Sequence, residues 1–130
     1  MADMKDILVP ISPGELLDKI TILRIKAEHI GEPEKLANVH RELKLLERLA
    51  CDSGPFGTPI DLLIDRLSTV NGRLWAIEDT LRACEREGDF GPRFVALARS
   101  VYCENDARAA IKRAINTLAG SALVEEKSYS

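Results

Sequence analysis

The sequence predicts an all-α protein: a compact bundle of about five helices built along one long central helix, with short extended N- and C-terminal segments that pair with each other. Three observations carry this. Apolar residues recur at alternating four- and three-residue steps from Leu63 through Leu67, Val70, Leu74, Ile77 and Leu81 to Cys84, the seam of one helix. Aromatics make up only 5% of the chain, and Ala and Leu fill the space instead, which favours closely packed helices over strands. Turn residues clustered at 31–33, 51–57 and 88–92 punctuate the periodic stretches.

In chain order, residues 6–11, DILVPI, are too short for a helix, and Pro10 would stop a strand at its edge, so they read as one extended segment. Ser12-Pro13-Gly14-Glu15 then supplies a capping box, in which Ser12 accepts from the amide of Glu15 while the Glu15 side chain reaches back. Ile11 and Leu16 stand where a hydrophobic staple puts them. The first helix, about 13–30, carries a seam of Leu16, Ile20, Leu23, Ala27 and Ile30, with Leu17, Ile22 and Ile25 off it. A helix apolar on several sides is buried on several sides, which makes Asp18, Thr21 and Arg24 conspicuous within it. Glu15 and Lys19, four apart, suit a surface pair.

Gly31 ends that helix and Pro33 opens the next, giving a helical hairpin. The second helix, about 33–50, presents Leu36, Val39, Leu43, Leu46 and Ala50. In the long helix, 58–87, Thr58 serves as cap, Pro59 fits the first turn and Asp61 meets the positive end of the dipole. It spans roughly 45 Å. A fourth helix at about 92–102 buries Phe94, Leu97, Ala98 and Val101. A fifth at about 105–119 starts with Asn105 as its cap, buries Ala107, Ile111, Ala114 and Leu118, and stops at Gly120. Beyond it, Ala122-Leu123-Val124 is expected to pair with Ile7-Leu8-Val9.

The 130 residues suit one helical domain over 1–130. A net charge of -3 argues against nucleic acid, whose phosphates need clustered Lys and Arg. Cys51, Cys84 and Cys103 are odd in number and lack metal-site spacing, so they read as small apolar fillers in a reducing compartment. The N-terminus has no signal-peptide pattern, and no stretch approaches the ~20 apolar residues of a membrane span, so the expected location is cytoplasmic. His29 and His40 have no carboxylate at zinc-site spacing, so no metal is expected.

Two polar stripes are the candidate sites. Asn71, Trp75, Glu78 and Arg82 run beside the seam of the long helix, with Gly72 leaving room for a close approach. They could grip a small molecule or a partner helix; alternatively, Trp75 covers the fourth and fifth helices while Glu78 and Arg82 pair on the surface. Asn105, Arg108, Lys112 and Asn116 form a second stripe, facing away from the apolar side of the last helix. It suits an anion near a helix N-terminus, a reading that Asp106 beside it weakens, or, as such strips more often are, a solvated face.

The blocks SPGELLDKITILRIK at 12–26, VNGRLWAIED at 70–79, LARSVYCENDARAAIKRAIN at 97–116 and GSALVEEKSY at 120–129 resemble a family of small bacterial proteins of unknown function. The resemblance spans nearly the whole chain and implies no activity. It does implicate the polar residues inside those blocks. Among them are Glu15, Asp18, Lys19, Asn71, Trp75, Glu78, Asp79, Arg99, Asn105, Asp106, Arg108, Lys112, Asn116, Glu125, Glu126, Lys127 and Tyr129.

Two functions stay open. One is a binding or scaffold module that engages a protein partner or forms a homodimer through helical seams, using the polar stripe and the EEKSYS tail. The other is a small helical enzyme or binding protein, needing no cofactor, that holds an anionic metabolite between helices. In the second, Arg24, Arg99, Arg108 and Lys112 are the clamps and Glu78 the acid or base. Convergence of Asp18, Arg24, Asn71, Glu78 and Arg99 on one concavity would favour the second reading.

Overall fold

The computed structural model describes residues 5–126, of which four helices take most: α1 Pro13–His29, α2 Pro33–Ser53, α3 Thr58–Glu87 and α4 Pro92–Ala119. The all-α class is as expected; the count of five is not. The two C-terminal helices are one. No Gly or Pro interrupts 93–119, and Asn105, expected as a cap, costs only a fraction of a kcal/mol in a helix interior, less than packing along α3 returns.

α4, at 28 residues, nearly equals α3 at 30, so the long element is a helical hairpin rather than one central helix. Gly88 turns that hairpin with φ of 69°, a left-handed conformation in which glycine is relaxed. α1 lies against both long helices, and α2 rests on α1 alone among the helices. The core gathers Leu16, Leu17 and Ile20 of α1, Ile60, Leu67 and Val70 of α3, and Ile111 and Ile115 of α4. α2 contributes only partly buried Leu43, Leu46 and Ala50 and has no fully buried residue.

Ser12 caps α1 as expected, its Oγ accepting from the Glu15 amide at 3.1 Å. The other half of the box is absent because the Glu15 carboxylate turns to Lys112 of α4 at 2.7 Å. Gly57 rather than Thr58 caps α3, and no side chain bonds the first amides there. Cys84 is the expected buried filler, whereas Cys51 and Cys103 are exposed. The expected pairing of chain ends does not form: residues 7–9 and 122–124 are not strands, and Leu8 is 93% exposed. Lys127 and Tyr129, with the rest of the tail from 127, lie outside the described residues. Among the described residues no helix is long and apolar enough to cross a membrane.

Candidate functional site

Where α1 meets both long helices, the contact is polar. Asp18 is wholly buried, at 0% exposure, and Thr21, one turn on, is equally enclosed. A buried carboxylate needs compensation, and the other two helices supply it. From α4, Arg108 donates from Nε to Asp18 Oδ1 at 2.9 Å and from Nη2 to Oδ2, a two-point fork. From α3, Asn71 Nδ2 donates to Asp18 Oδ1 at 2.9 Å and to Thr21 Oγ1 at 2.8 Å. Thr21 Oγ1 in turn donates to the Asp18 carbonyl at 2.7 Å. The partners lie 53 and 90 residues from Asp18 in sequence, so the contact fixes one register among three helices.

One turn further along α4, Lys112 is buried between Glu15 of α1 at 2.7 Å and Glu125 of the C-terminal segment at 3.2 Å. Burial pulls its pKa down, but hydrogen bonds to Glu15 and Glu125 and the charges of Glu15 and Asp18 outweigh that and leave it raised above 10.5. Arg108 is likewise raised, foremost by its hydrogen bond to Asp18. A turn beyond Lys112, Asn116 Oδ1 accepts from the Gly14 amide at 2.7 Å, and its Nδ2 meets no hydrogen-bond partner among the described residues. Gly14 is the close-approach glycine: a Cβ there would stand 2.6 Å from the Lys112 carbonyl oxygen. Gly72, expected in that role, faces open space.

The Arg108 and Asn71 side chains also form part of an open groove of about 510 Å³ between α1, α3 and α4. Ile22, Ile25, Leu74 and Trp75 give it apolar walls, and Glu78, Asp79 and Arg82 charge it. Trp75 packs against His29 of α1, ring centres 4.7 Å apart and planes tilted by 35°. Glu78 and Arg82 form no ion pair with one another.

Of the nine candidates, Asp18, Asn71 and Arg108 therefore share one cluster, Trp75 and Glu78 share its groove, and Lys112 sits a turn away. Arg24 is drawn off to Glu47 of α2 at 2.8 Å. Arg99 is exposed on α4, and Asn105 borders a separate depression of about 840 Å³ beside Tyr102 and Glu125. The four-cation clamp is thus not assembled. The Arg108, Lys112 and Asn116 stripe is a buried face against α1, not a solvated one. Gly14 and Thr21 complete the cluster unforeseen as partners; a glycine in a helix's first turn, where propensity disfavours it, was the available signal for the former.

No curated protein and no solved structure matches this chain. The model of a family of unknown function (DUF6165) matches residues 7–130, and the chain belongs to that family.

Proposed function

We propose that the chain binds a small amphoteric molecule, of the amino-acid class, in the groove between α1, α3 and α4. One observation carries the reading: Arg108, a wall of that groove, is held through Nε and Nη2 by Asp18, and its Nη1 has no hydrogen-bond partner among the described residues. A guanidinium fixed in this way is oriented before a ligand arrives, so less entropy is lost on binding. The groove's volume, about 510 Å³, falls in the range of small-molecule sites.

Charge narrows the ligand. Asp18 neutralises Arg108, leaving Glu78 and Asp79 against Arg82. A purely anionic metabolite gains little there. A ligand carrying both signs can set its carboxylate toward Arg82 and Arg108 and its ammonium toward Glu78 and Asp79, with an apolar body against Trp75, Ile22 and Ile25. Binding alone is proposed. A thermal-shift series tests it with leucine and phenylalanine beside the matching amine alone and carboxylate alone. Ligand at 100 Kd adds about 2.7 kcal/mol of stability. The amino acids are expected to raise Tm, and Glu78→Gln or Arg82→Gln to abolish the rise. No response to any amino acid, or a response indifferent to both substitutions, would overturn the reading; a response to carboxylates alone would return the anionic ligand.

A second reading, a module that engages a protein partner, is favoured by Leu45 and Leu49. They are about half exposed and four residues apart on the outward face of α2, spacing that suits a partner helix. Substituting both with Glu and measuring capture of the same partner before and after would test it.

A further inference from the structure

A second polar convergence lies outside the groove, where the first turn of α1 faces α4. Lys112 pairs there with Glu15, in that first turn, at 2.7 Å. Asn116, four residues on and so on the same face of α4, accepts through Oδ1 from the Gly14 amide at 2.7 Å. The Asn116 side chain is enclosed, at 2% exposure, yet its Nδ2 has no hydrogen-bond partner among the described residues. Nδ2 shares an amide carbon with the Oδ1 that meets Gly14, so this idle donor also lies beside the start of α1. A buried N–H without an acceptor is costly, and a site made for an acceptor accounts for one. The start of a 17-residue helix adds a preference for negative charge.

One carboxylate besides Glu15 already reaches this place. Glu125 pairs with Lys112 at 3.2 Å. It belongs to a strap, residues 121–126, that doubles back along α4. The Ser121 amide donates to the Asn116 carbonyl at 2.9 Å, and further on Glu126 pairs with Arg113 at 2.8 Å. No residue of 121–126 is buried, and the pair of Arg113 with Glu126 is largely in water. Ion pairs so exposed hold a segment weakly. If Glu125 leaves, Glu15 still balances Lys112 and Asp18 still balances Arg108. An incoming monoanion then restores only the charge that Glu125 supplied, at a position shown to accept a carboxylate.

We propose that Lys112, Asn116 and the first turn of α1 form a carboxylate site that Glu125 occupies from within the chain. The carboxylate of a small molecule displaces the strap and takes Lys112 Nζ and Asn116 Nδ2 as its donors. The site is separate from the groove and does not rest on the amino-acid reading. A carboxylate on so short a segment competes at an effective concentration in the millimolar range. A strap closed about nine-tenths of the time weakens an external ligand about tenfold.

Nitrogen-15 NMR of the full chain tests this by following the Asn116 side-chain amide during titration with sodium acetate, with sodium chloride as the control. In Glu125→Ala/Glu126→Ala, acetate is expected to shift that amide saturably, with a Kd roughly tenfold below that of the wild type. Chloride should not shift it, and adding Lys112→Met should abolish the response, with circular dichroism confirming that each variant is folded. An Asn116 amide that ignores acetate in Glu125→Ala/Glu126→Ala would overturn the proposal. Equal affinity in wild type and variant would overturn it too, since Glu125 would then not be the occupant. So would a response that chloride reproduces or that survives Lys112→Met.

Discussion

Replacing Arg108 with Met tests whether the cluster at Asp18 fixes the three helices. The change keeps an apolar stem but removes both guanidinium hydrogen bonds to a carboxylate that is 0% exposed. Breaking one side of a buried pair costs about 3–5 kcal/mol, because the remaining charge is left uncompensated. The Arg108 side chain is 29% exposed, so water can reach the vacated space, and a cost near the lower end, about 3 kcal/mol, is expected. Asp18→Asn is the informative counterpart. It keeps the shape and an acceptor for Asn71, and it leaves a partly exposed arginine that can turn to solvent, so its cost should be smaller, about 1–2 kcal/mol. Urea unfolding reads both. With a slope near 1.5 kcal/mol/M, the midpoint of Arg108→Met should fall by about 2 M at unchanged slope. A loss of less than about 0.5 kcal/mol for Arg108→Met, the scatter of ordinary surface changes, would refute the reasoning. So would Asp18→Asn proving the costlier of the two.

Three further outcomes are expected. Gly14→Ala should destabilise by about 1–3 kcal/mol, since its methyl group collides with the backbone of α4, whereas Gly72→Ala, in open space mid-helix, should stabilise by about 0.5–1 kcal/mol. Equal effects in urea unfolding would contradict the assignment of Gly14 as the contact between α1 and α4. Lys112 is raised in the folded state, so its contribution is complete below pH 10.5 and is lost as pH climbs through the higher folded value. Stability curves of wild type and Lys112→Met should therefore converge above pH 10.5, and a constant gap would contradict this. A thiol reagent should label Cys51 and Cys103 rapidly and Cys84 only on unfolding; three equally fast thiols would place Cys84 wrongly.

How much of this was legible follows from the range of the interactions. Local signals were reliable. The seam from Leu63 to Cys84 gave α3, though its cap is Gly57 and not Thr58, and Ser12 gave the start of α1. Asn105 misled because a good cap residue is not a stop when no glycine or proline accompanies it. The polar cluster was harder. Asp18 and Thr21 stood out inside an apolar helix, but their partners come from 50 to 90 residues away. Helical periodicity assigns arginine and lysine to water, and it inverted the face of α4 because α1 brings Asp18 and Glu15 to meet Arg108 and Lys112. Only the pairing of two charged faces makes either one an inside face. Arg24 shows the converse: equally conspicuous in sequence, it finds Glu47 on the neighbouring helix and stays outside.

The Arg108 Nε–H resonance in a nitrogen-15 NMR spectrum tests the central assertion most directly, that Arg108 is immobilised on Asp18 while lining the groove. A guanidinium locked through Nε and Nη2 should give a sharp, slowly exchanging signal at neutral pH, shifted from the position of free arginine and lost in Asp18→Asn. An Arg108 signal that exchanges as fast as that of an exposed arginine, with or without Asp18, would contradict the account.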